Sequence, residues 1–193
     1  LRETLSSDRH GLTHELLASL PTTEAATTNY DRLFESAVDA TGESLAVLPR
    51  QPAQGKDRWL LKLHGDIEEA DSMVLTRDDY LQAPMHSGAL FGLVQAMLMT
   101  RHMLFVGYSL SDEDFHQLVH EVRSARRPNE AEAESLDESR SEPFGTVLTL
   151  FDDPLFHDLW GHDLRVVAMA EEPDDPTRPT ADELGIAERR MQV

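Results

Sequence analysis

Short, continuous apolar runs alternate along this chain with stretches whose leucines, valines and phenylalanines recur every three or four residues. Runs of the first kind read as strands and stretches of the second as helices with one apolar face. Leu12, Leu16, Leu17 and Leu20 predict a helix from about Thr13 to Leu20, which Pro21 ends. The small residues that follow Glu24 suit a tightly packed strand, and Leu33, Phe34, Ala37 and Ala40 place a helix over Tyr30 to Ala40. Ser44 to Leu48 reads as a short strand, Pro49 to Lys56 as a loop, and Arg58 to Leu63 as the central strand. After an acidic loop, Ile67 to Ser72, come a short strand at Met73 to Leu75 and a helix from Arg77 with Thr76 as its cap. A separate, strongly apolar helix is expected over Gly88 to Arg101, then a buried strand over His102 to Gly107. Ser111, with Asp114 three residues on, resembles the start of a capping box for a helix that runs to about Arg126. Gly145 to Phe151, Asp153 to Trp160 and Leu164 to Met169 read as strand, short helix and strand. Strand and helix in alternation predict an α/β domain with a mainly parallel sheet.

The 193 residues suffice for one domain with a sizeable core. That domain is expected over residues 1–170, with an acidic, loosely ordered loop at 127–143 and an acidic, Pro-rich tail or linker at 171–193. No internal repeat is visible. Cysteine is absent, which removes disulfides, thiol nucleophiles and cysteine zinc sites. Thirty-six acids against 17 bases give a formal charge of −19, a surface that phosphate backbones and anionic membranes repel. Nucleic acid and membranes are therefore not expected partners. An anionic small molecule remains possible, because backbone donors at a helix N-terminus suffice to hold one. No run is long enough to span a membrane and no signal peptide opens the chain, so a cytoplasmic location is expected.

Candidate chemistry gathers where the apolar runs stop. Trp59 to Leu63 ends in His64-Gly65-Asp66, and ligands of open α/β sheets bind outside the carboxyl ends of strands. Free imidazole changes charge near neutrality, which suits the residue type to acid–base work. Thr28, Asn29 and Asp31 fall between the first strand and its helix, where such residues serve as helix caps or as ligand contacts. Gly107 and Ser109 end the fourth apolar run just before a helix N-terminus, a place suited to a phosphate or a ribose hydroxyl. The acids Asp112, Glu113 and Asp114 would repel a phosphate if they faced it, so a ribose hydroxyl is an equal candidate. These strand ends are expected to converge on one crevice. The pairs His10/His14 and His116/His120 have helical metal-ligand spacing but no third ligand, and read as surface histidines.

Taken together, ATTNYD at Ala26 to Asp31, KLHGD at Lys62 to Asp66 and LFVGYSLSDEDF at Leu104 to Phe115 resemble the sirtuin superfamily in order and spacing. The corresponding sirtuin runs are TQNID, a glutamate-leucine-histidine-glycine run and a GTS-type loop. With VLTRDDY at Val74 to Tyr80, the variant forms look more like the sirtuin-like NAD-hydrolase domains of bacterial antiviral defence proteins, over about Thr22 to Met169.

That resemblance implies a Rossmann-like domain with helices on both faces of the sheet, no zinc module, and NAD as its substrate without a metal. It implies that Asn29 orients the attacking water and the nicotinamide ribose, and that Asp31, beside Thr28, recognises the carboxamide. His64, next to Gly65, would be the general base, and Gly107 and Ser109 would line the phosphate and ribose portion. It further implies a homo-oligomer with a fused or associated sensor domain, depleting NAD on infection. The missing zinc cysteines, and VLTRDDY in place of the family's FGE-type segment, disfavour protein deacylation. The family's Gly-rich phosphate-cradling segment should precede ATTNYD, where residues 1–23 hold one glycine, Gly11; a chain shortened or reduced at that end is expected. The alternatives are a nucleotide-sensing or assembly module without turnover, and an ADP-ribosyltransferase or deacylase acting on a protein.

Overall fold

The computed structural model describes residues 9–126 and 142–170, the side chains of residues 78–87 excepted. The elements in chain order are α1 (Leu12–Ser19), β1 (Glu24–Thr27), α2 (Leu33–Thr41), β2 (Leu45–Leu48) and β3 (Arg58–Lys62). They continue with α3 (Arg77–Thr100), β4 (Met103–Val106), α4 (Glu113–Arg126), β5 (Gly145–Thr149), α5 (Pro154–Trp160) and β6 (Leu164–Ala168). The strands pair in two three-stranded sheets, ordered β1-β3-β2 and β4-β5-β6, and every pair is parallel. The fold is thus the expected α/β arrangement of parallel sheets flanked by helices, and the absence of cysteine leaves no cysteine zinc module. Contacts divide it into two compact units, residues 9–100 with 111–126 and residues 101–110 with 142–170.

In the first unit β3 is the central strand, as its apolar run predicts. Ala25 and Ala26 on β1 lie opposite Leu60 and Leu61, and Ala46 and Val47 on β2 lie opposite Trp59 and Leu60. Leu60 and Leu61 are buried, as are Phe91, Val94, Met97 and Leu98 on α3 and Phe115, Leu118, Val119 and Val122 on α4. The last four recur at helical spacing, which turns one face of α4 inward. α3 and α4 pack on each other, and Arg126 Nη2 donates to the Leu98 carbonyl at 3.2 Å. Arg58, 8% exposed, reaches from β3 to the end of α1, donating to the carbonyls of Ala18 (2.7 Å) and Leu20 (2.9 Å). Those are carbonyls that a helix C-terminus leaves without intrahelical partners.

The second unit holds β4, β5, β6 and α5. Gly145 on β5 sits between Met103 and Leu164, so close that an added Cβ would lie 2.5 Å from the Met103 carbonyl oxygen. Asp153 caps α5, accepting the N–H of Leu155 at 3.0 Å, with Pro154 at the first helical position.

Five expectations are corrected. Met73 to Leu75 is not a strand; it has no regular structure, and the Val74 N–H donates to the His64 carbonyl at 2.9 Å. The two helices expected over 77–101 are one, α3, of 24 residues, which continues through Pro84 and Gly88 despite their low helix propensity. Asp112, not Ser111, caps α4, because its carboxylate lies within reach of the Asp114 N–H at 3.1 Å. On α1 the buried residue is Ala18, while Leu12 and Leu16 are exposed; α1 lies close against α2, where Ala18 meets Ala37 and Val38. β4 is only partly buried, Leu104 being 47% exposed, since it is the edge of its sheet. The acidic loop and the tail at 171–193 fall at residues 127–141 and 171–193, outside the described residues.

Candidate functional site

The parallel strands β1 and β3 end side by side, Thr27 opposite Lys62, and the last ladder bond runs from the Leu63 N–H to the Thr27 carbonyl at 3.0 Å. Beyond that point the chain leaves β1 as the loop Thr28 to Arg32 and leaves β3 through His64. Asn29 is exposed in that loop, and its backbone N–H donates to Thr27 Oγ1 at 3.1 Å. Thr28 and Asp31 are half-buried on either side of Asn29 and Tyr30. Asp31 Oδ1 accepts the Leu33 N–H at 3.0 Å, so this carboxylate does serve the start of α2. The other carboxylate oxygen has no such duty at the helix, which leaves room for a binding role beside the structural one.

His64 has a side chain 12% exposed, and its Nε2 lies 3.4 Å from Asp112 Oδ2 at the start of α4. By sequence Asp114 reads as part of a helix cap and the acids 112–114 as neighbours of a ligand; here Asp112 and Asp114 meet the histidine. Asp112 is equally enclosed, also 12% exposed, and it both caps α4 and faces His64. Asp114 stands one step further along, its carboxyl held above the usual carboxylate range by burial and then by the neighbouring charge of Asp112. His64, Asp112 and Asp114 each offer a ligand atom within 4.8 Å of the others, a set able to hold a metal ion. An imidazole beside carboxylates is equally the arrangement that orients a general base.

Gly65 lets the chain turn directly after the histidine. Its φ is +96°, and a Cβ there would lie 2.3 Å from the Ser72 carbonyl oxygen, so both conformation and space require glycine. The turn is stitched by the Asp66 N–H to Ser72 Oγ at 3.1 Å and the Glu68 N–H to Asp66 Oδ1 at 2.9 Å. Tyr30 spans the site: its hydroxyl donates to the Val74 carbonyl at 2.5 Å, while its own carbonyl accepts the Ile67 N–H at 3.0 Å. Burial raises the Tyr30 phenol above its ordinary pKa, which keeps the proton on this donor.

Beneath the two strand ends lies a buried charge cluster that no spacing argument found. Lys62, 2% exposed, has its Nζ 2.8 Å from Glu35 Oε1 and 3.5 Å from Asp66 Oδ2, both carboxylates being buried too. Arg50 approaches Asp66 Oδ2 at 3.6 Å and pairs with Glu68, which also pairs with Arg32 at 2.8 Å. The signal was present as a lysine inside an apolar strand and a glutamate on the inward face of a helix, both rarely buried unless paired.

Gly107 and Ser109 follow β4 in the second unit. Gly107 has φ +64°, and Leu110, close behind, is a non-glycine residue at +56°. His10, His14, His116 and His120 belong to no metal-capable group among the described residues; His116 and His120 are exposed as expected, whereas His10 and His14 are half-buried.

Within the first unit, then, the ATTNYD and KLHGD segments and the acidic end of the third segment meet, through the β1–β3 pairing and the His64–Asp112 contact. The SIR2-like domain family matches residues 23–143, more than half of the chain. The chain belongs to the SIR2-like domain family. Among relatives of this SIR2-like domain, NAD(+) hydrolase ThsA of Enterococcus faecium is 33% identical over 123 residues, covering 61% of this chain and 26% of the relative. NAD(+) hydrolase ThsA of Bacillus cereus (strain MSX-D12) is 32% identical over 142 residues, covering 63% and 30%. Defense-associated sirtuin 2 of Bacillus subtilis is 28% identical over 120 residues, covering 59% and 12%. The chain therefore spans less than a third of the length of each of these relatives. No helix among the described residues is long and apolar enough to cross a membrane.

Proposed function

We propose that this domain is an NAD glycohydrolase, cleaving the nicotinamide–ribose bond of NAD to release nicotinamide and ADP-ribose, and that the intact protein depletes NAD in antiviral defence. The observation that supports this reading is that Asn29 and His64 each follow the end of one of two neighbouring parallel strands, with Asp112 against the imidazole. The names of the relatives support it.

The chemistry suits these groups. As the glycosidic bond breaks, positive charge grows on the ribose and nicotinamide leaves as a neutral base, so no strong general acid is needed. Asn29 holds the nicotinamide ribose and the attacking water with its amide, which stabilises the developing charge. His64 takes a proton from that water or from a ribose hydroxyl, a contribution of about 10²–10⁴-fold for a well-placed base. Water adds to the anomeric carbon, the proton goes to His64 and then to solvent, and the products are balanced. Thr28 and Asp31 contact the nicotinamide end beside Gly65. NAD is thus substrate rather than resident cofactor.

The test is to incubate the intact protein with NAD and no protein acceptor. Nicotinamide and ADP-ribose in equal amounts are expected. Binding without turnover would favour a sensing module, and turnover only with an added protein would favour a transferase or deacylase.

A further inference from the structure

Lys62 makes contacts that the cleavage chemistry does not call for. Its Nζ donates to the Asp31 carbonyl at 2.6 Å and to the Tyr30 carbonyl at 3.1 Å, besides pairing with Glu35 at 2.8 Å. Of the three donors of an ammonium, two go to these carbonyls, and Glu35 faces it as the counter-charge. Burying such a charge costs several kcal/mol, and apolar residues of similar volume often serve stability as well. Stability alone therefore gives no reason for a lysine here.

What the lysine does is local. β1 has ended at Thr27, so the sheet ladder no longer fixes the loop that carries Asn29. The carbonyls directly after Asn29 are tied instead to Nζ of a residue on β3, two positions before His64. We propose that Lys62 is a positioning residue, whose buried ammonium extends the β1–β3 register beyond the strand end and sets Asn29 against His64. This rests on the reading of Asn29 and His64 given above. Glu35 supplies the counter-charge that lets the ammonium stay buried, and Asp66 retains Arg50 at 3.6 Å if the lysine is removed.

The experiment compares Glu35→Gln with the double variant Glu35→Gln/Lys62→Met in the intact protein. The single variant breaks the ion pair but keeps the two carbonyl bonds; the double variant loses both without stranding Glu35. NAD turnover, thermal melting and hydrogen exchange of the Thr28 to Arg32 amides are read for each. E35Q is expected to melt lower and keep kcat near wild type. The double variant is expected to exchange faster over 28–32 and to lose about 10²-fold in kcat, the scale of a small misplacement at a reacting centre, with KM little changed. A merely structural lysine would lower melting and leave kcat per folded molecule and the loop's exchange at the E35Q level; that result overturns the proposal. Should the double variant not fold, Lys62→Gln in the E35Q background replaces it, and a kcat equal to that of E35Q is again contradictory. If wild type itself leaves NAD intact, the hydrolase reading fails, while the exchange comparison still decides whether Lys62 holds the loop.

Discussion

Glu68 shows how a surface charge steadies the site at the scale of one residue. Its carboxylate joins Arg50 and Arg32, tying the turn after His64 to the loop before β3 and to the start of α2. The Arg50 hydrogen bond, aided by the charges of both arginines, holds its carboxyl below the ordinary value of 4.5. A depressed acid contributes stability that is present above its unfolded value and lost as pH falls through the folded one. Glu68→Gln is therefore expected to lower the melting temperature at neutral pH, the stability lost being less than about 1 kcal/mol for a partly exposed pair. The difference should close as pH is taken below 4.5 and through the folded value, which melting curves across an acid series would check.

At this same scale the sequence revealed some residues and hid others. His64 and Asn29 were legible because each ends an apolar run in a recognisable motif. Asp112 was legible only as one of three acids, since its approach to His64 joins positions 48 residues apart. Lys62 and Glu35 were hidden for a related reason: an ion pair between a strand and a helix depends on how the two pack, which no local pattern states.

At the scale of elements, the turns at the strand ends decide what is presented. Gly65 and Gly107 both follow strands and both have positive φ, yet they differ in their surroundings. A Cβ at Gly65 would strike the Ser72 backbone, whereas one at Gly107 would meet nothing within 4 Å. Gly107→Ala should thus cost about 1–2 kcal/mol, the backbone penalty alone. Gly65→Ala should cost about 3 kcal/mol or more, since clash adds to strain, and should shift the 65–72 turn. Chemical denaturation of both variants tests the contrast. Helix and strand order was legible from hydrophobic period, but the run at 73–75 was not. Three apolar residues look like a strand whether or not a neighbour is there to pair with them. The continuity of α3 was equally illegible, because Pro84 and Gly88 argue locally against a helix that the fold maintains.

At the scale of the molecule, the parallel α/β architecture followed from the alternation of elements and is what the SIR2-like family shares. A parallel pair places its strand ends on one edge of a sheet, which is why two motifs more than 30 residues apart, after β1 and β3, begin side by side. The account's central claim is that Asn29 and His64 work there as a pair on NAD. The most direct measurement is kcat for nicotinamide release by Asn29→Ala and His64→Ala in the intact protein, with melting curves as the control for folding. Each variant is predicted to melt as wild type does and to lose at least about 10²-fold in kcat. Turnover near the wild-type rate in both would contradict the account.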